Sequence, residues 1–323
     1  MKTLGVIFGL FALSAGLAGA DFAYGQGVNQ DLPLYRPADQ MSGEITLTGS
    51  NTMAQLAGGW IDSFRQFHPN VKFKLEVNGS RGALGALIDG DATFGMLSRT
   101  ISKEELEAFQ KKFGYPPKLL VPSYERVAIY VHKDNPIQEL TVAQVQSIFA
   151  QHGKARTWGD VGATGAFANR PIALQGRGPT TGSTVYFQTI ILRGDSFDDK
   201  MVEHPGNAEL VQAIEQNPDA IGYAGLIFDS TQVKAVPLAA RAGLPAVAID
   251  SIEADQGMYP LMRPLQIVVN QAPGKELRPV EREFLKYIFS RLGQEDVIKG
   301  GFQPIPGANA RFALGEVGVR ELN

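Results

Sequence analysis

The run Gln175-Gly176-Arg177-Gly178-Pro179-Thr180-Thr181-Gly182-Ser183-Thr184 places an arginine, several hydroxyls and closely spaced glycines just ahead of an apolar stretch, 185–192. That stretch has helical length and ends at Gly194. The first turn of such a helix offers free backbone N–H groups and the positive end of the helix dipole. Glycines let a ligand approach the backbone, hydroxyls donate, and Arg177 can fork two donors onto one oxyanion. No lysine follows Gly182, so this is not a Walker P-loop, and the glycines do not fit G-x-G-x-x-G. Alone, the loop reads as an ordinary Gly/Thr turn capping a helix.

The same chemistry recurs twice upstream. Thr48-Gly49-Ser50-Asn51-Thr52 follows a short strand-like run, 44–47. It precedes Met53, Leu56, Ala57, Trp60, Ile61, Phe64 and Phe67, spaced as one face of a helix that Pro69 stops. Asn78-Gly79-Ser80-Arg81-Gly82 follows the alternating run 71–77 and precedes a helical run with Leu84, Leu87 and Ile88, closed by Gly90. Three times a strand leads through glycine and hydroxyl residues into a helix. In an open α/β sheet these loops lie at the carboxyl ends of the strands, where ligands bind. No acidic residue lies within them, which suits an anion held by neutral dipoles and few charges.

The elements that must position these loops alternate along the chain. Ser102 and Glu105 form a capping box for a helix running to Phe113. A β-rich strand covers 125–131, and Thr141 to Gln144 start a capped helix that runs to about Ala150. Residues 158–170 read as loop, and 171–174 as the strand leading into the Arg177 loop. Asn207 is expected to cap a helix bearing Leu210, Val211 and Ile214. Strands follow at 220–225 and 263–269, and Pro279 opens a helix that Gly293 ends. The alternation predicts an α/β fold. Two candidate binding loops lie before residue 132 and one after it, as in an anion clamped between two lobes.

The whole chain has 323 residues, ample for two core-bearing lobes. Thirty basic against 33 acidic side chains give a formal charge of -3, so no basic stripe points to nucleic acid. There is no cysteine, which excludes disulfides, thiolate metal sites, a cysteine nucleophile and a lipid-anchored N-terminal Cys. His68, His132, His152 and His204 lack metal-ligand spacing, and no metal or cofactor is expected. The first twenty residues read as a cleaved signal peptide: Lys2, an apolar and small-residue core, then Ala18-Gly19-Ala20. The mature chain is expected free in the periplasm, with 21–43 a flexible lead.

These motifs resemble the substrate-binding proteins of bacterial phosphate ABC transporters, within the periplasmic binding protein superfamily, over most of the chain after residue 44. The likeness rests on Gly49-Ser50-Asn51-Thr52 with Trp60 behind, Asn78-Gly79-Ser80-Arg81-Gly82, and Phe94-Gly95-Met96-Leu97-Ser98-Arg99. Arg177 with Thr181-Gly182-Ser183-Thr184 and Phe187, then Ile221-Gly222-Tyr223, and Tyr259-Pro260-Leu261 with Arg263-Pro264-Leu265 complete it. The resemblance implies two α/β lobes joined by two crossover strands, near 126–132 and 263–269. Lobe one would be 44–131 plus 264–323 and lobe two 132–263. It implies ligand contacts from Asn51, Thr52, Ser80, Ser98, Arg177, Thr181, Gly182 and Ser183, with Ser50 a neighbour.

The implied function is non-catalytic capture of inorganic phosphate by hinge closure and delivery to an inner-membrane permease by a monomer. One departure stands out. In one branch of the family the position of Ser98 holds an aspartate that accepts the proton of hydrogen phosphate and so rejects sulfate. Here a hydroxyl stands there. Sulfate or another tetrahedral oxyanion is therefore an alternative ligand. A secreted phosphatase is a further reading, with neither a metal constellation nor a Ser/His/Asp arrangement in its favour.

Overall fold

The computed structural model describes residues 28–179, 181–225 and 230–319. The expected signal peptide lies outside them. The chain runs β1 (Gly43–Gly49), α1 (Asn51–Phe67), β2 (Val71–Glu76), α2 (Gly82–Asp89), β3 (Phe94–Leu97), α3 (Lys103–Phe113) and β4 (Lys118–His132). It continues as β5 (Leu140–Thr141), α4 (Val142–Phe149), β6 (Ala173–Arg177), α5 (Gly182–Ile190), β7 (Val202–His204), α6 (Asn207–Glu215), β8 (Ala220–Gly225), β9 (Val233–Ala235), β10 (Leu238–Ala239) and α7 (Ile252–Asp255). It returns through β11 (Met262–Val269), α8 (Pro279–Ile288), α9 (Arg291–Lys299) and α10 (Gly307–Glu316).

Helix α1 forms where the sequence places it. Ser50 caps it, and Met53, Leu56, Ala57, Trp60, Ile61 and Phe64 are the buried face. The Ser102–Glu105 and Thr141–Gln144 capping boxes both form. The main sheet runs β2-β1-β3-β11-β4-β8-β6-β7, with β9 also on β4. Strand β4 is long enough to serve both halves. Its residues 118–126 pair antiparallel with β11, and Val127 to Val131 pair with β8. The apolar cores divide along the same line. One core runs from Val127 to Leu261 and includes Trp158, Phe187 and Tyr223. The other joins Trp60, Phe64 and Phe94 to Phe284 and Phe289 from the C-terminal helices. Each lobe therefore has its own interior, and β4 and β11 are the shared strands.

Three expectations are corrected. Asn207 is the first residue of α6, with Gly206 at the cap, because the Asn207 side chain is taken by Arg177. The helix from Pro279 ends at Ile288, and Gly293 sits inside α9. Ser290 starts the new helix by accepting from the Gly293 amide. A side chain at Gly293 would lie 2.2 Å from the Tyr287 carbonyl, so glycine there permits a tight helix-helix corner. Finally, residues 28–42 are not a free lead. Leu32 is buried in the first lobe, Tyr35 meets Phe67 and Tyr287 edge-on, and the Arg291 amide and Ala38 amide bond to Pro33 and Glu283 respectively. The Pro- and polar-rich composition of this stretch denotes absent periodicity, not absent contacts.

Candidate functional site

Adjacent parallel strands deliver the first-lobe loops to one end of the sheet. β1 lies beside both β2 and β3, so the residues after each strand converge. Gly49 closes β1 with φ +133, and a Cβ there would lie 2.4 Å from the Met96 carbonyl oxygen. This contact lets the Ser50 amide donate to Met96 at 3.0 Å and the Gly79 amide donate to Gly49 at 2.9 Å. The three loops are thereby stitched through backbone.

Their hydroxyls form a relay. The Met53 amide donates to Ser50 Oγ at 3.3 Å, and Ser50 Oγ donates to Ser98 Oγ at 2.9 Å. The Ser98 amide donates to Ser80 Oγ at 3.2 Å, with the Ser80 and Ser98 hydroxyls 3.3 Å apart. All three serines are buried, at 0–1% exposure. A hydroxyl that accepts from a fixed N–H behind it keeps its own proton to pass on. Ser50 gives its proton to Ser98, and whichever of Ser98 and Ser80 accepts from the other keeps a proton for a fully ionised oxyanion. Arg99 props the loops from beneath. It pairs with Glu105 at 2.5 and 2.7 Å and donates to the Ser80 carbonyl at 3.2 Å. Its charge is compensated. Arg81 is exposed at the start of α2, as are Asp89 and Asp91 beyond it.

The second lobe meets this cluster through the start of α5. Thr181 caps the helix by accepting from the Thr184 amide at 3.3 Å. That leaves the first amides, those of Gly182 and Ser183, among the donors no helical carbonyl can take. Gly182 touches the relay directly. A Cβ at this residue would fall 2.0 Å from Ser98 Oγ and 3.1 Å from Ser80 Oγ. Only a residue without a side chain permits this approach between lobes. Thr184 Oγ1 donates to the Arg177 carbonyl at 2.9 Å and lies 3.0 Å from the Tyr223 hydroxyl, holding the loop closed behind the helix start. Burial pushes the Tyr223 phenol up to about 12.

Arg177 is buried, but its guanidinium is engaged within its own lobe. Nε donates to the His204 carbonyl at 3.2 Å, Nη2 to the Pro205 carbonyl at 2.8 Å, and Nη1 to Asn207 Oδ1. Its donors are therefore turned away from the serine cluster in this geometry. All three acceptors are neutral, and burial pulls the guanidinium below its ordinary range, with Tyr223, Glu209 and Glu125 acting only partly against it. Among the described residues these acceptors take three of its five N–H groups.

A second cation at the cluster is Arg263, which the sequence places in a strand and in the family motif but with no site role. Fully buried, it donates from Nη1 to the Ser98 carbonyl at 3.0 Å. Nη2 lies 3.2 Å from Thr52 Oγ1 and 3.0 Å from Ser183 Oγ, one hydroxyl from each lobe. Glu125 Oε2 accepts from Nε at 2.7 Å and also from Nη2. Glu125 and Arg263 face each other across the β4–β11 ladder. A signal existed: each is a charge placed within a largely apolar strand, and two such charges of opposite sign are the pattern that a buried pair across a sheet leaves in sequence. Of the expected ligand residues, Ser80, Ser98, Gly182 and Ser183 are drawn together with Ser50, and Thr52 joins them through Arg263. Thr181 acts as a cap, and Asn51 is exposed at the first turn of α1. Among the described residues no cluster of His, Asp or Glu could hold a metal ion.

Two α/β lobes, sharing two strands and closing helix starts and hydroxyls on one cleft, define a two-lobed binding protein. Residues 36–291 match the family model described as the PBP superfamily domain, and the chain belongs to that family. It is similar to the phosphate-binding protein PstS of Pseudomonas aeruginosa, 37% identical over 325 residues, covering 99% of this chain and 100% of that protein. Among solved structures it resembles an ABC-type phosphate transport receptor from Vibrio cholerae. There the TM-score is 0.67 and the identity 20%, over 81% of this chain and 100% of that one. PstS from Borrelia burgdorferi is similar at a TM-score of 0.59 and 20% identity, over 82% and 99%. The two structural likenesses carry the fold. Among the described residues no helix is long and apolar enough to cross a membrane.

Proposed function

We propose that this protein binds inorganic phosphate between its lobes, in the periplasm, and delivers it to an ABC permease without chemical change. The observation that carries the reading is the approach of Gly182 to the Ser50–Ser98–Ser80 relay across the lobes. It puts first-turn amides of α5 opposite a hydroxyl chain whose last member, Ser98 or Ser80, has a proton to give, the arrangement a tetrahedral oxyanion takes. The full-length likeness to a protein named for phosphate binding supports that ligand over other oxyanions. Arg177 supplies a desolvated positive charge on the second lobe, with a guanidinium to turn toward the anion. Hinge closure about β4 and β11 brings the two sets of donors together. The binding unit is the monomer, exported by the cleaved signal peptide.

Sulfate is the second reading. Ser98 is a donor where a proton-accepting carboxylate would discriminate against it, and the relay offers no acidic side chain in its place. A hydrolase has no support in the site, since no nucleophile is paired with a base. Calorimetric titration of the purified protein with phosphate, sulfate, arsenate and molybdate, beside an assay for phosphate-ester hydrolysis, tests the reading. Phosphate is expected to bind one-to-one and more tightly than sulfate, with no turnover. A clear preference for sulfate overturns phosphate while keeping the oxyanion site, and ester turnover lost on mutation of the cluster overturns the non-catalytic reading.

A further inference from the structure

The Arg263–Glu125 pair lies at the one place where both lobes' hydroxyls and the shared strands meet. Arg263 has no exposed surface, and its acceptors come from four segments: Ser98 after β3, Thr52 on α1, Ser183 on α5 and Glu125 on β4. Its guanidinium also stands 5.7 Å from the Tyr186 ring on α5. The carboxylate has a built seat. A Cβ on Gly225 would lie 2.3 Å from Glu125 Oε1, so the β8 strand makes room for that oxygen with a glycine. Thr52 and Ser183 accept from the guanidinium, which commits their own protons outward. The cation thus orients one donor on each lobe, and the carboxylate cancels its charge.

We propose that this pair is a neutralised clasp in which Arg263 positions the Thr52 and Ser183 hydroxyls across the closed cleft and Glu125 sets the cleft's net charge, and with it the preference between singly and doubly charged oxyanions. The inference rests on the reading of this cleft as the phosphate site. With Glu125 in place, the charge felt by the ligand comes from Arg177 and from helix starts. Without it, Arg263 becomes an uncancelled cation beside Thr52 and Ser183. At an effective dielectric near 20, an uncancelled unit charge within about 10 Å of the ligand changes binding by more than about tenfold for each unit of ligand charge. Arg177 at the end of β6 and Tyr186 on α5 lie within electrostatic reach of the pair. Burial pushes Tyr186 up to about 12, so it stays neutral in the range used below.

The test is calorimetry with inorganic phosphate and sulfate at about pH 5.5 and about pH 8.5, where phosphate is mostly singly and mostly doubly charged while sulfate carries two charges at both. Glu125→Gln keeps an acceptor for Arg263 and removes the charge. It is expected to tighten sulfate, which carries two charges, by at least about a hundredfold at both pH values. Phosphate should tighten as much at the higher pH and about tenfold less at the lower one. Arg263→Gln reverses the sign: beyond a uniform loss from the missing clasp, sulfate should weaken about tenfold more than phosphate at the lower pH only. Equal changes for both anions at both pH values would overturn the proposal, since a purely structural prop acts without regard to ligand charge. If only one variant remains folded, its result decides alone, and unfolding of both would make the pair a fold determinant and equally overturn the claim. A native protein that binds neither anion would instead sink the phosphate reading itself.

Discussion

Replacing Gly182 with alanine probes the contact on which closure depends. The added methyl would lie 2.0 Å from Ser98 Oγ, 3.1 Å from Ser80 Oγ and 3.2 Å from Ser98 Cβ. Ordinary carbon contacts begin near 3.5 Å, so the closed geometry must yield by more than about 1 Å at the shortest of these. Ser98 cannot turn aside freely, because its hydroxyl is held at 2.9 Å from Ser50 and its amide is bonded to Ser80. Forcing a methyl into such a site typically costs about 1–3 kcal/mol. At about 1.4 kcal/mol per decade, phosphate affinity should fall roughly 5- to 150-fold. Gly182 is not in the left-handed region and begins a helix, where alanine is favoured, so the ligand-free protein should melt no lower than the native one. Calorimetry with phosphate and thermal unfolding without it separate the two effects. An affinity within about twofold of native would show that the lobes do not meet at Gly182 when the anion is bound.

Arg177→Ala should weaken phosphate by roughly 2–5 kcal/mol, or about 30-fold to several thousand-fold, in the same titration; near-native affinity would place the anion's countercharge elsewhere. Ser98→Ala breaks the relay at its shared hydroxyl and should cost about 1.5–3 kcal/mol of binding, with an unchanged affinity showing that Ser98 is only a packing residue. Trp60 Nε1 donates to the Gly293 carbonyl at 2.9 Å in the first core, so Trp60→Phe should lower unfolding stability by about 1–3 kcal/mol in a denaturant titration, and no loss would contradict that bond's role. Burial pulls the His68 imidazole below its usual value of 6.5, so the folded state favours the neutral ring. Its contribution is complete above 6.5 and is lost as pH falls below that value. The melting temperature should therefore drop between about pH 7 and 5, less steeply in His68→Gln, and an identical slope in the two proteins would refute the assignment.

The loops were legible in the sequence because their chemistry is local. A glycine beside a hydroxyl at a strand-to-helix joint needs no distant partner to be recognised, which is why Ser50, Ser80, Gly182 and Ser183 stand out, whereas Ser98 follows only from the family resemblance. Helices with caps were equally plain, as at Ser102 and Thr141. What escaped was set by pairing across the fold. Arg263 and Glu125 stand 138 residues apart, and only the β4–β11 register brings them together. Arg177 was recognised, but its acceptors on His204, Pro205 and Asn207 follow from the parallel pairing of β6 with β7, and β7 is too short to announce itself. Gly293 was taken as a helix end because glycine usually punctuates. Its place inside α9 is dictated by the Tyr287 carbonyl pressed against it. The stretch 28–42 lacks periodicity, and its attachment runs through backbone carbonyls that composition cannot reveal.

The central claim is that phosphate is held between the lobes by hydroxyls and helix starts with Arg177 as countercharge. A crystal structure of the full-length mature protein soaked with phosphate tests it most directly. The account predicts the phosphate within hydrogen-bonding distance of Thr52, Ser98 and Ser183 hydroxyls and the Gly182–Ser183 amides, with the Arg177 fork turned onto it. Phosphate bound away from these residues, or on one lobe with Gly182 withdrawn from Ser98, would contradict it.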